Sequence, residues 1–173
     1  QLGKLAGLKM YGIASKNKHS ILTEYGAIPI DYRTQDFVQV IRQAEPQGLN
    51  AVFDGVGGDY FGRSYSLLRR GGKLIGYGNP QSTAGMLKFL GQVILFSLLP
   101  DGKSARPYST GLSRFNWRLF LDDWARLFQL LGEGMIDPVS AARFPLLEAA
   151  RANALLESGT VVGNIVLLTP EQL

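Results

Sequence analysis

The segment Leu49-Asn50-Ala51-Val52-Phe53-Asp54-Gly55-Val56-Gly57-Gly58 runs an apolar strand into a glycine turn, and Gly72-Lys73-Leu74-Ile75-Gly76-Tyr77-Gly78-Asn79 repeats the design. Between them, Asp59 to Arg70 has helix length, with Phe61, Tyr65 and Leu68 at helical spacings. Continuous apolar runs of this kind predict strands buried on both faces, as parallel sheets require. In open α/β sheets the ligand lies beyond the carboxyl ends of such strands, where glycine lets it approach the backbone. The pattern reads as half of a nucleotide site.

Upstream, Leu2, Leu5 and Leu8 mark the end of an amphipathic helix, and Lys9–Ala14 a short strand. Ser15 stands where it can cap a helix that runs to about Tyr25 and stops at Gly26. Ile28-Pro29-Ile30 is a brief strand, and Phe37, Val38, Ile41 and Ala44 mark another helix. Downstream, residues 86–100 form an apolar, buried or substrate-facing helix, and residues 101–114 mix loop with an edge strand. Trp117, Phe120, Leu121, Trp124, Leu127, Phe128 and Leu131 recur at helical spacing, a stripe expected in the core. After Asp137-Pro138 a strand, a helix and a closing strand follow in quick order. The alternation predicts an α/β, Rossmann-type doubly wound parallel sheet with a short C-terminal strand-helix-strand lobe.

The 173 residues allow one domain, or one domain and part of another. The net charge of +4 is scattered, with Arg69-Arg70 the sole adjacent Arg pair, and no basic-aromatic stripe points to nucleic acid. With no Cys, the chain holds no disulfide, Cys-based zinc site or thiolate nucleophile. The single His19 reads as surface, and the 86–100 stretch is too short to span a bilayer. A cytoplasmic location is the expectation.

Several short motifs, taken in order, carry a family resemblance. They include Gln1-Leu2-Gly3-Lys4-Leu5-Ala6, Tyr25-Gly26-Ala27, Ile30-Asp31-Tyr32-Arg33 and Asp54-Gly55-Val56-Gly57-Gly58. Arg70-Gly71-Gly72-Lys73-Leu74, Gly76-Tyr77-Gly78-Asn79, Gly134-Met135-Ile136-Asp137-Pro138, Phe144-Pro145-Leu146 and Gly163-Asn164-Ile165-Val166-Leu167 complete the series. In this order the chain resembles the cofactor-binding part of a medium-chain dehydrogenase/reductase, of the zinc-independent quinone oxidoreductase type. The resemblance implies that the first strand, its pyrophosphate-cradling glycine turn and an amino-terminal catalytic domain all belong before Gln1. It divides the chain into a cofactor domain over residues 1–135 and a lobe over 136–173 that packs with that catalytic domain.

Rossmann proteins that use NAD place an acid at the end of the second strand for the ribose 2′-hydroxyl. Here that strand ends in Ser15-Lys16-Asn17-Lys18, without an acid. A hydroxyl and ammonium groups attract a 2′-phosphate that a carboxylate would repel. By resemblance, Ser15, Lys18 and Tyr32 contact the 2′-phosphate of NADP(H), with Lys16 a further candidate. Taken alone, the same residues fit a capping serine and solvated lysines. The resemblance also implies that Gly55, Val56 and Gly57 lie under the ribose and nicotinamide, where a side chain would obstruct the cofactor. Tyr77, Gly78 and Asn79 match a second contact turn, and Asn164 stands where many relatives have Lys.

The implied reaction is hydride transfer from NADPH to a quinone or an α,β-unsaturated carbonyl, with no metal site in this chain. Tyr77 and Tyr108 are candidates to donate a hydrogen bond to an enolate, against packing roles that bury their rings. No catalytic residue is assigned. The alternatives are a zinc-type alcohol dehydrogenase relative, a sulfonium-dependent methyltransferase, or a non-enzymatic binding or structural protein retaining the fold. The resemblance implies a homodimer through Rossmann edge strands, with Ala105–Gly111 as the candidate edge.

Overall fold

The computed structural model describes residues 1–77, 82–109 and 117–172. The chain divides into two compact units, Gln1–Thr34 with Trp124–Leu173, and Gln35–Asp123.

In the second unit, Asp36 starts helix α3 (Phe37–Ala44) by accepting from the N–H groups of Val38 at 2.8 Å and Gln39 at 3.3 Å. Strands β3 (Leu49–Asp54), β4 (Leu68–Gly76) and β5 (Ser104–Pro107) form a parallel sheet in the order β3-β4-β5. Helices α4 (Asp59–Ser66) and α5 (Thr83–Leu98) make the two crossovers that parallel pairing requires. Phe61 and Leu74 are fully buried between these helices and the sheet, with Tyr65, Leu68, Val93 and Ala105 completing the core. Gly76 permits that packing: a Cβ there would come within 2.6 Å of the Phe89 ring and 2.8 Å of the Phe61 ring.

Two expectations change in this unit. Helix α4 stops at Ser66, and Leu68, expected on it, opens β4 instead. Leu49 N–H donates to Leu67 O at 2.8 Å, which draws the chain into the ladder before the helix can continue. The register then slips between Leu49, opposite Leu68, and Ala51, opposite Lys73, while Gly71 takes a φ of +81°. Nor is β3 buried on both faces. Val52 packs against the core, but Phe53 on the opposite pleat is 68% exposed, because α4 and α5 cover one face only.

Helix α5 repeats that asymmetry. Phe89, Val93 and Phe96 face the core, whereas Leu87, Ile94 and Leu98 are exposed. Strand β5 pairs only with β4 among the described residues, so an edge strand lies at Ser104–Pro107; of the expected edge Ala105–Gly111, Tyr108 and Ser109 lie beyond the strand and residues 110–111 lie outside the described residues.

In the first unit, β1 (Met10–Ala14) pairs parallel with β2 (Ala27–Asp31). Helix α1 (Leu2–Leu5) precedes β1, and a 3-10 turn (Lys16–Lys18) leads into α2 (His19–Glu24). Strands β6 (Ser140–Pro145) and β7 (Asn164–Leu168) pair parallel around α7 (Ala149–Glu157). Gln1 anchors the lobe: its side chain accepts from Asp137 N–H at 2.8 Å and donates back to Asp137 O. Helix α6 (Trp117–Gly132), which begins in the second unit and enters the first at Trp124, forms as its periodicity predicts, but it buries none of its residues, and Trp117, Trp124 and Phe128 stay exposed. Its stripe is amphipathic as expected, yet it is not core within this chain.

At the amino end of β5, Tyr65 donates its hydroxyl to Asp101 at 2.9 Å and to Phe96 O at 3.0 Å. Burial, then the bond to Asp101 and its charge, push the Tyr65 phenol up to about 12. Burial alone would raise the Asp101 carboxyl, but bonds from Lys103 N–H and Tyr65 and the Lys103 charge hold it below the usual carboxylate range.

Truncating the central ring, Phe61→Ala, is expected to cost about 3–5 kcal/mol in urea unfolding. The Asp101 contribution is present above the unfolded carboxyl value, near pH 4, and is lost as pH falls through the lower folded value. The stability difference between native and Asp101→Asn chains should therefore shrink on acidification, and a difference that stays constant would contradict the network. For Tyr65, stability should fall as pH rises from about 10 to about 12.

Candidate cofactor-binding site

Ala14 lies opposite Asp31 at the last paired position of β1 and β2, so Ser15 and Tyr32 leave the sheet side by side. Ser15 is buried, and its hydroxyl donates to Asn17 Oδ1 at 2.6 Å. It occupies the position before the 3-10 turn but makes no side-chain cap; Lys18 N–H reaches its carbonyl instead, at 2.9 Å. The capping reading of Ser15 is therefore replaced by an Asn17 clamp, which the sequence pattern did not reveal. Tyr32 is half-exposed, with the Arg33 guanidinium 5.8 Å from its ring centroid. Asp31 is the acid nearest this end, and its Oδ1 accepts from Arg33 N–H at 3.0 Å. His19, expected on the surface, is part-buried, with Nε2 3.2 Å from Ala14 O.

Lys18 also lines an apolar cavity of about 700 Å³ in the same unit, with Leu2, Ala14, Ile21, Ile136 and Val161 among its walls.

In the second unit the register Asp54↔Gly76↔Pro107 sets Gly55, Tyr77 and Tyr108 just beyond the three strand ends. The buried Asp54 carboxylate organises the first of these turns. Its Oδ1 accepts from Val56 N–H at 2.9 Å and Gly57 N–H at 2.8 Å, and its Oδ2 accepts from the Ser64 hydroxyl at 2.7 Å. The Asp54 carbonyl accepts from Tyr77 N–H at 2.9 Å. The Asp54 role was not anticipated, although an Asp directly ahead of a glycine turn, accepting from the backbone two residues on, is a known Asx-turn signal.

The glycines of this turn have separate causes. A Cβ at Gly55 would lie 2.9 Å from the Tyr77 ring, so a side chain there requires that half-exposed ring to move. Gly57 and Gly58 have φ of +71° and +59°, and nothing lies within 4 Å of their built Cβ positions. Conformation, with open space above, accounts for both. Val56, Tyr77 and Tyr108 are all more than half exposed, so neither tyrosine has the buried packing role set against its candidacy. Gly78 and Asn79 lie outside the described residues. Among the described residues no group of three or more His, Cys, Asp or Glu side chains is placed to hold a metal ion.

Parallel strands joined by helical crossovers, with a glycine turn at the carboxyl end of β3, define a Rossmann-like domain. A family model described as zinc-binding dehydrogenase matches residues 26–167, and the chain belongs to that family, within the medium-chain dehydrogenase/reductases. The chain is 29% identical over 171 residues to the synaptic vesicle membrane protein VAT-1 homolog of Danio rerio, covering 92% of this chain and 35% of that protein. It is 28% identical to quinone oxidoreductase 1 of Escherichia coli (strain K12), covering 97% of this chain and 51% of that protein. The structure of Escherichia coli quinone oxidoreductase complexed with NADPH superposes with a TM-score of 0.76 at 25% identity, over 96% of this chain and 51% of that one. The chain thus spans between a third and a half of the length of these relatives.

The two glycine causes are separable by a double-mutant cycle. Gly57→Ala should destabilise by about 1–2 kcal/mol whatever stands at position 77. Gly55→Ala should couple to Tyr77→Ala by roughly 0.5–3 kcal/mol, because removing the ring clears the space that the new methyl needs. Zero coupling in urea unfolding would contradict the close approach.

Proposed function

We propose that the protein carrying this chain is an NADPH-dependent oxidoreductase that passes hydride to a quinone or an α,β-unsaturated carbonyl, and that this chain binds the cofactor. The observation that carries the reading is the acid-free end of β1, where Lys18 stands one 3-10 turn beyond the buried Ser15, whose single hydroxyl proton would turn from Asn17 to meet a phosphate. Hydroxyl and ammonium groups suit a 2′-phosphate. Asp31, which ends the neighbouring β2, engages one carboxylate oxygen with Arg33 N–H. The names of quinone oxidoreductase 1 and of 2-haloacrylate reductase of Burkholderia, also a relative, support reductive chemistry on electron-poor acceptors. The NADPH complex of the quinone oxidoreductase supports the choice of cofactor.

When bound, NADPH would supply the hydride; this chain's residues hold and orient it. Ser15, Lys18 and Tyr32 engage the 2′-phosphate. Gly55, Val56, Gly57 and Tyr77, with Gly78 and Asn79, accompany the ribose and nicotinamide. The reaction needs no nucleophile from this chain, and zinc independence is part of the proposal. The family description favours one competing reading, a zinc-type alcohol dehydrogenase relative with its metal ligands outside these residues. We further propose the division at residues 135 and 136, a cytoplasmic location and a homodimer through the open edge of β5. No helix among the described residues is long and apolar enough to cross a membrane.

In the full-length protein NADPH should bind at least tenfold more tightly than NADH, and Lys18→Ala should remove most of that preference by deleting a charged hydrogen-bond donor. Equal affinities, unchanged by the substitution, would refute the 2′-phosphate assignment. Sedimentation should show a dimer, and a monomer at high concentration would refute the edge pairing.

A further inference from the structure

We propose that Asp54 and Ser64 are a positioning pair: the Asp54 carboxylate, oriented by the Ser64 hydroxyl, holds the Gly55–Gly57 turn in the shape that meets the cofactor. The inference rests on the cofactor reading above, but its hydrogen-bond network stands independently of it.

Asp54 is 6% exposed and Ser64 4%, so neither is placed to meet ligand directly. The three donors that reach the carboxylate are all neutral: two turn amides and one hydroxyl. Each end of the network belongs to a different element. The carboxylate is on the last residue of β3, the amides are in the turn, and Ser64 is on α4. Ser64 matters because Oδ1 must carry both amide bonds at once, which fixes the carboxylate rotation about the Cβ–Cγ bond. A hydroxyl donating to Oδ2 from the helix locks that rotation. The same residue's carbonyl receives Tyr77 N–H, so a displaced Asp54 also shifts the residue whose ring covers Gly55.

The geometry predicts an unusual pattern of tolerance. Asn at position 54 keeps one acceptor oxygen for the two amides, and its new NH2 group donates to Ser64, whose hydroxyl can accept as well as donate. Removing Ser64 as well strands that NH2 group, buried and unpaired. Asp54→Asn should therefore be nearly silent alone and damaging in combination.

The test uses the full-length protein and two readouts, amide exchange at Val56 and Gly57 without cofactor, and KM for NADPH against kcat with a quinone acceptor. Asp54→Ala should raise exchange at both amides and raise KM by roughly tenfold or more, with kcat changed less. Asp54→Asn should restore both to within a few-fold of the native values. The Asp54→Asn, Ser64→Ala double variant should behave like Asp54→Ala, and circular dichroism confirms that each variant is folded. If Asp54→Ala does not fold, Ser64→Ala and the double variant carry the same comparison. Unchanged exchange and KM in the double variant would overturn the proposal, and so would an Asp54→Asn chain as impaired as Asp54→Ala. Changed exchange with no NADPH binding even in the native protein would leave the network intact and overturn the cofactor role.

Discussion

The contact on which the second unit depends is the approach of two aromatic rings to a bare backbone. Phe61 from α4 and Phe89 from α5 both reach Gly76 on β4, at distances that a single methyl group would abolish. Phe96 stacks on Tyr65 with ring centroids 4.3 Å apart and extends the same cluster along α5. Because both crossover helices are clamped at the end of β4, the carboxyl ends of β3, β4 and β5 are held in register. The turn at Gly55 and the Tyr77 ring above it inherit that alignment. Interior packing of this density leaves little slack for a strand end to drift.

Much of this was legible in the sequence, because apolar periodicity reports an element's existence and type. The strands, the crossover helices and the first glycine turn, at Gly55–Gly58, lie close to where the pattern put them, and an edge strand overlaps the expected edge at residues 105–107. The pattern failed where a long-range bond decided the outcome. Leu68 fits a helical spacing with Phe61 and Tyr65, yet Leu49 N–H captures Leu67 O and switches the chain to strand. Asp36, Asn17 and Asp54 were overlooked for a related reason. A short polar side chain that satisfies nearby backbone or side-chain groups leaves no periodic trace. Exposure was equally invisible. The sequence says that Phe53, Leu98 and Trp124 are apolar, but not whether any surface covers them.

Those uncovered faces share a physical logic with the open strand edges. Parallel sheets are normally covered by helices on both faces, and their strands read as continuous apolar runs for that reason. Here the runs are present, but β3 is covered on one side only. Among the described residues β5 pairs with β4 alone, which leaves its outer edge open. Tyr108 N–H points inward to Gly76 O, so by alternation Ala105 and Pro107 point outward. Pro107 has no N–H, and Ala105 O already accepts from the Ser97 hydroxyl at 3.0 Å. Few backbone groups remain there for a partner strand, so a dimer formed at this edge would draw its stability largely from side chains.

The hydrogen bonds of the Gly55–Gly57 turn also say what kind of ligand group suits it. A turn that cradles phosphate points free N–H groups at the anion, usually at a helix N-terminus. In this turn the N–H groups of Val56 and Gly57 are both spent on Asp54, inside the protein. A buried carboxylate behind the turn would moreover oppose a second negative charge in front of it. Outward lie the exposed Val56 side chain, the Tyr77 ring and open space above Gly57 and Gly58, beside the start of α4, which no side chain caps. Val56 and Tyr77 offer the apolar contact that suits an uncharged ring or sugar. The end of β1, with Lys16 and Lys18, carries cationic groups that the Gly55–Gly57 turn itself lacks.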